Sequence, residues 1–185
     1  THDTARWTLM GPTVGTRVSL TGGVTRDMTR HQGDFVTLAA EVRQYRMLLP
    51  SVVSATRARG VTSVGRDAQR SYLGGYYSLR GYERRAFSGD QGLLLQQELR
   101  LPLLRGLALQ FPGPMRFPTI RGVLFGDAGW TWSRVYDQRA GAIGTGVAMG
   151  GIYFPELRIN YVWITPDFQH YPRRPRTQFV IGFGF

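Results

Sequence analysis

The side chains of this sequence that could do chemistry are arginines, and what they offer is charge pairing rather than bond making. All 23 basic side chains among the 185 residues are arginine, against 12 Asp and Glu, so the formal net charge is +11. Covalent catalysis lacks its parts. There is no Cys, hence no disulfide frame and no thiolate metal site. His2, His31 and His170 lie far apart without ligand spacing and read as turn residues. No G-x-S-x-G and no Ser-His-Asp spacing occurs. We therefore expect no catalytic residue, no metal and no cofactor. A basic chain first suggests nucleic acid, but the placement of the arginines argues against that partner.

That placement follows from the elements that carry them. No run approaches the roughly 20 apolar residues of a membrane-spanning helix. The dominant pattern is instead alternation with period two, broken by Gly, Pro, Asp and Arg, as in strands of a transmembrane barrel with one face in lipid and one toward the lumen. In the cleanest run Leu157, Ile159, Tyr161 and Trp163 share one face, and Arg158 and Asn160 share the other. Val36, Leu38, Ala40 and Val42 oppose Thr37, Glu41, Arg43 and Tyr45; Leu95, Leu99 and Leu101 oppose Gln96, Glu98 and Arg100; Ile120, Leu124, Ala128 and Trp130 oppose Arg121, Phe125 and Asp127. Ile143 and Val147 alternate with Gly144, Gly146 and Ala148, small inward residues that suit a lumen holding something bulky.

With a fraying first run around Arg6 to Met10, the pattern predicts about eight or nine antiparallel strands. Arg17, Arg43, Arg57, Arg59, Arg100, Arg121 and Arg158 all fall on the lumen side. On the lipid side at mid-membrane each would cost about 2–4 kcal/mol. A lumen so lined would favour anions. Aromatics near strand ends, namely Trp7, Tyr45, Trp130, Trp132, Tyr153, Tyr161 and Trp163, read as interfacial girdles. The fold expected is all-β, an antiparallel transmembrane β-barrel integral to a bacterial outer membrane, with lipid as its first partner.

One segment breaks the rhythm. Residues 66–91 form a long interruption rich in Tyr, Gly and Arg, with an apolar spine of Leu73, Tyr76, Tyr77, Leu79, Tyr82 and Phe87. Long ordered loops are usually functional, and this composition suits a loop folded back into the lumen. The single Asp127 on its strand face sits among basic neighbours, as a residue serving a specific partner would.

These stretches carry a family resemblance. Gly74-Gly75, then Ser78-Leu79-Arg80-Gly81-Tyr82, then Leu95-Gln96-Gln97-Glu98-Leu99-Arg100-Leu101-Pro102-Leu103, together with Phe125-Gly126-Asp127-Ala128-Gly129, resemble the superfamily of BamA, TamA and the two-partner secretion transporters. There a (V/L)-R-G-(F/Y) loop tip tucks into the barrel, the next strand commonly reads N-x-E-L-R-x-P-L, and the Asp of F-x-D-x-G faces the lumen. The resemblance implies that Arg80, with Gly81 and Tyr82, locks the loop onto Asp127, with Phe125 and Gly129 beside it. An arginine fork on a carboxylate would fix orientation as well as contribute energy. The terminal run, with Phe179, Ile181, Phe183 and Phe185 on one face, is similar to the family's C-terminal assembly signal.

A barrel of that superfamily has sixteen strands, with the motif loop joining the eleventh and twelfth. Residues 1–185 would then be one barrel domain, the C-terminal half, and a fragment of a longer polypeptide. The implied function is insertion or export of polypeptides through strand pairing at the barrel seam, with client polypeptides or other subunits of a membrane complex as partners and no nucleic acid. A passive barrel anchoring another domain is the alternative.

Overall fold

Alternation of apolar and polar side chains is realised here as one continuous antiparallel sheet. The computed structural model describes residues 1–8, 11–26, 34–104, 107–109, 115–117, 120–151 and 154–182. Eight long strands follow one another as a meander: β1 (Gly11–Thr25), β2 (Phe35–Leu49), β3 (Val52–Gly65), β4 (Gln91–Leu104), β5 (Ile120–Trp132), β6 (Asp137–Gly151), β7 (Phe154–Thr165) and β8 (Arg176–Gly182). Each pairs antiparallel with its sequence neighbour. The run expected around Arg6 is short: His2–Asp3 and Arg6–Thr8 both pair with β1. Among the described residues β8 pairs with β7 alone, and closure of the sheet into a barrel is not seen.

Seven of the eight strands have 12–15 residues, enough to cross a bilayer at the usual tilt with a turn to spare. Two faces result. The convex face carries Leu20, Leu38, Val42, Leu95, Leu124, Ile143, Val147, Ile159, Tyr161, Phe179 and Ile181, all at least 40% exposed. A contiguous apolar surface of this extent has to be covered by something other than water. On the concave face sit Ala55, Arg57, Leu94, Gln96, Glu98, Val123, Asp127, Ala142, Ala148, Arg158 and Asn160, all buried.

Register explains how that concave wall accepts large side chains. Phe125 stands between Glu98 on β4 and Gly144 on β6, and Gly144 in turn faces Val162 on β7. A Cβ at Gly144 would lie 2.5 Å from Phe125 Cζ, and one at Gly146 would lie 2.2 Å from Asn160 Oδ1. The small residues of β6 are therefore a floor across which the side chains of β5 and β7 lie.

One sequence expectation changes. Tyr45, placed among the strand-end girdle aromatics, is only 3% exposed on the concave side, with the Arg100 guanidinium 6.0 Å from its ring centroid. Its parity on β2 outweighs its position near the strand end. Trp130 does face outward, stacked on Phe168 at 5.5 Å, whereas Tyr153 lies outside the described residues. The arginines expected on the lumen side keep that side, and Arg57, Arg100, Arg121 and Arg158 are buried there beside carboxylates.

Candidate functional site

Residues 66–90 join β3 to β4 and lie against the concave wall. Ser71–Leu73 and Phe87–Gly89 pair antiparallel, and the thirteen residues between them, 74–86, carry the Ser78-Leu79-Arg80-Gly81-Tyr82 tip through a series of turns. The Gly74-Gly75 pair opens that series. Both have positive φ (115° and 96°), and a Cβ at Gly74 would sit 2.3 Å from the Glu83 carbonyl oxygen. The Gly75 N–H donates to the Tyr82 carbonyl at 3.2 Å and the Ser78 N–H to the Gly75 carbonyl at 3.1 Å. Leu73 and Leu79 are buried against Leu94 and Ala140 of the wall, with Tyr82 and Phe87 packed at the margin of that cluster. Those two rings meet edge to face at 5.0 Å.

This packing delivers Arg80, itself 2% exposed, to the wall. Its Nε donates to Asp127 Oδ2 at 2.7 Å and its Nη2 to Asp127 Oδ1 at 2.6 Å, a bidentate fork. The Arg80 main-chain N–H adds a third bond to Oδ2 at 3.1 Å. Nη1 donates to Glu98 Oε2 at 2.8 Å, and the guanidinium lies 3.7 Å from the Phe125 ring centroid. Gly144, Phe125 and Arg80 therefore stack in layers, from the sheet inward.

Glu98 is the hub. Its Oε1 accepts from Arg100 Nε at 2.8 Å and Arg158 Nη2 at 2.9 Å, and its Oε2 accepts from Arg80 Nη1 at 2.8 Å and Arg158 Nη1 at 3.2 Å. Four donors use the whole accepting capacity of a carboxylate. The network extends both ways. Arg158 Nη1 also reaches the Tyr76 hydroxyl at 3.2 Å, and Gln96 Nε2 donates to the Ser78 carbonyl at 2.5 Å. Arg57 donates to the Tyr77 carbonyl at 2.9 Å, to Gln96 at 3.1 Å and to Glu41 at 2.8 Å. Arg121 pairs with Glu156 at 3.0 Å. Isolated buried charges would cost several kcal/mol each; here they occur in contact with opposite charge.

Of the candidate residues, Arg80, Asp127 and Phe125 meet directly. Gly81 has φ +81°, and a Cβ there would stand 2.7 Å from methyls of Val162 and Ile164. Tyr82 donates its hydroxyl to the Gly141 carbonyl at 3.3 Å. At Gly129 a Cβ would come 3.0 Å from Leu73 Cδ1, beneath the loop. Phe179 and Ile181 lie apart from this cluster, each 61% exposed on the convex face; Phe183 and Phe185 lie outside the described residues. Glu98, Arg158 and Gln96 belong to the site; Gln96 and Glu98 lay within the motif strand without being singled out, and Arg158 was marked only by its place on the polar face of an alternating strand. The sharpest sequence signal was the alternation Gln96, Glu98, Arg100, which aims an acid between a base and an amide.

Among the described residues no group of His, Asp and Glu is placed to hold a metal ion. Residues 67–151, a little under half of the chain, match the model of the haemolysin secretion/activation protein family ShlB/FhaC/HecB. The matched stretch contains the loop tip, Glu98 and Asp127. It supports the superfamily resemblance carried by the motifs, without pointing to BamA or TamA within it. No curated protein matches the chain.

Proposed function

We propose that this chain is the C-terminal half of an outer-membrane barrel that secretes polypeptides, of the kind whose family model it matches. Residues 66–91 are the inward-folded loop of that barrel, and Arg80 on Asp127 and Glu98 is its lock. The observation that carries the reading is the seat of Arg80: a loop guanidinium sealed from solvent and divided between carboxylates of two different strands. A surface loop would gain little from such an arrangement, since exposed ion pairs contribute about 0–1 kcal/mol. A loop that must sit in one orientation across a lumen gains both energy and register from the fork.

Transport of this kind requires no covalent chemistry. The work is done by position, with the loop admitting or blocking passage. Phe179, Ile181, Phe183 and Phe185 serve as an assembly signal, and β8 offers main-chain groups to a client by β-augmentation. The convex apolar face supports an integral location in the outer membrane of a Gram-negative-type bacterium.

The test uses the complete polypeptide in bacterial outer membranes with its client. Arg80→Ala and Asp127→Ala should each abolish most export and expose the loop to protease, while the barrel still migrates as a folded species before heating. Wild-type export together with unchanged digestion in both variants would discard the lock. Engineered cysteines across the first and last barrel strands test the rest: cross-linking that leaves export intact would discard strand pairing at the seam, and absence of any export by the wild-type protein would favour a passive anchor.

A further inference from the structure

The loop tip touches more than the wall that holds Arg80. Arg176, the first residue of β8, donates from Nη1 to the Gly81 carbonyl at 3.1 Å. The Tyr77 hydroxyl lies over Gly182, at the other end of the same strand: a Cβ there would stand 2.4 Å from Oη but 3.6 Å from Cζ. The Tyr77 carbonyl, meanwhile, accepts from Arg57 on β3, and its ring rests edge-on against Tyr76 at 4.9 Å. A single residue thus reaches from β3 by its main chain to β8 by its side chain, bridging the concave wall. Gly81, wedged against Val162 and Ile164 of β7, places the tip within reach of Arg176.

Among the described residues β8 pairs with β7 alone. Resting on the seated loop proposed above, we infer that Tyr77 and Arg176 position the loop by latching it to β8, so that the loop keeps its seat only while β8 keeps its place. Arg80 sets where the tip binds on the wall. Tyr77 and Arg176 make that seat depend on β8, and a polypeptide that displaces β8 loosens the loop at both contacts together.

The experiment reads trypsin cleavage after Arg80, a bond hidden when the loop is seated, in outer membranes containing the complete polypeptide. Gly182→Ala should raise this cleavage several-fold, because the new methyl occupies the place of the Tyr77 hydroxyl. Adding Tyr77→Phe removes that hydroxyl, leaves ordinary van der Waals contact and should restore protection. Arg176→Ala should also raise cleavage, and Arg176→Lys should restore part of it. Rescue of Gly182→Ala by Tyr77→Phe is an outcome that simple loss of folding does not produce. Cleavage that rises in Asp127→Ala but in neither Gly182→Ala nor Arg176→Ala overturns the latch and leaves the lock standing. Cleavage unchanged in all three overturns the seated loop as well.

Discussion

The concave wall has two parts that share a sequence pattern and differ in what lies on them. On β1 and β2 most inward residues, Arg17, Ser19, Thr37 and Ala39 among them, are half-exposed or exposed, Tyr45 being buried. On β4 to β7 the residues of the same parity, Gln96, Glu98, Val123, Asp127, Ala142 and Arg158, are 5% exposed or less. The convex faces of both parts are alike, with Leu20 and Leu38 as exposed as Ile143 and Ile159 or more so. Alternation therefore decides which way a side chain points, and the loop decides what it meets there. Where water remains, a polar side chain needs no partner. Under the loop water is gone, and every charge requires an opposite one within hydrogen-bond reach.

If that contrast is electrostatic, its largest consequence falls on Glu98. Removing it as Glu98→Ala leaves Arg80, Arg100 and Arg158 facing one another without their shared acceptor. Loss of one member of a buried charge network costs about 3–5 kcal/mol; urea unfolding in lipid should show a drop of that size. A drop no larger than that of an ordinary surface substitution would mean that the covered wall is held by apolar packing alone.

A second substitution separates the two faces. Leu38→Arg beneath the bare part and Ile159→Arg beneath the covered part should each destabilise by about 2–4 kcal/mol if they lie near the bilayer midplane. The measurement is the same unfolding experiment. Equal penalties would mean that the loop's influence ends at the concave surface, whereas a cost confined to Ile159→Arg would tie the outer face to loop packing rather than to lipid. The smallest effect belongs to Ser19→Ala. With water beside it on the bare wall, it should change stability by no more than about 0.5 kcal/mol, as surface substitutions usually do. A loss comparable to that of Glu98→Ala would show that something unrecognised covers β1.

Residue parity carried much of the fold without help. Period-two runs predicted an antiparallel all-β sheet, and β1 to β8 appear with their lipid-side and lumen-side residues on the sides that the alternation assigned. The small residues of β6 announced room for bulk, and Phe125 and Asn160 fill it. Local cues were weaker guides. Tyr45 sits near a strand end, where an aromatic suggests an interface, yet its parity turns it inward beneath Arg100. Net charge is silent on pairing: +11 for the whole chain fits a lumen lined by arginine, and in a buried wall what matters is the nearest opposite charge. Arg57, Arg80, Arg100, Arg121 and Arg158 each have a carboxylate there, directly or through Glu98.

Sequence by itself determined the period, the strands and the two faces, because these depend on neighbours one or two residues apart. It also carried the motifs that drew attention to Arg80 and Asp127. Only the tertiary structure decided that Glu98 gathers three arginines from two strands and a loop, that Gly182 makes room for Tyr77, and that Arg176 reaches Gly81. Apart from Arg100, two positions from Glu98 on the same strand, those contacts join residues 18 to 105 positions apart, brought together by register across the sheet and by the path of the loop, and no local pattern of side chains encodes such distances.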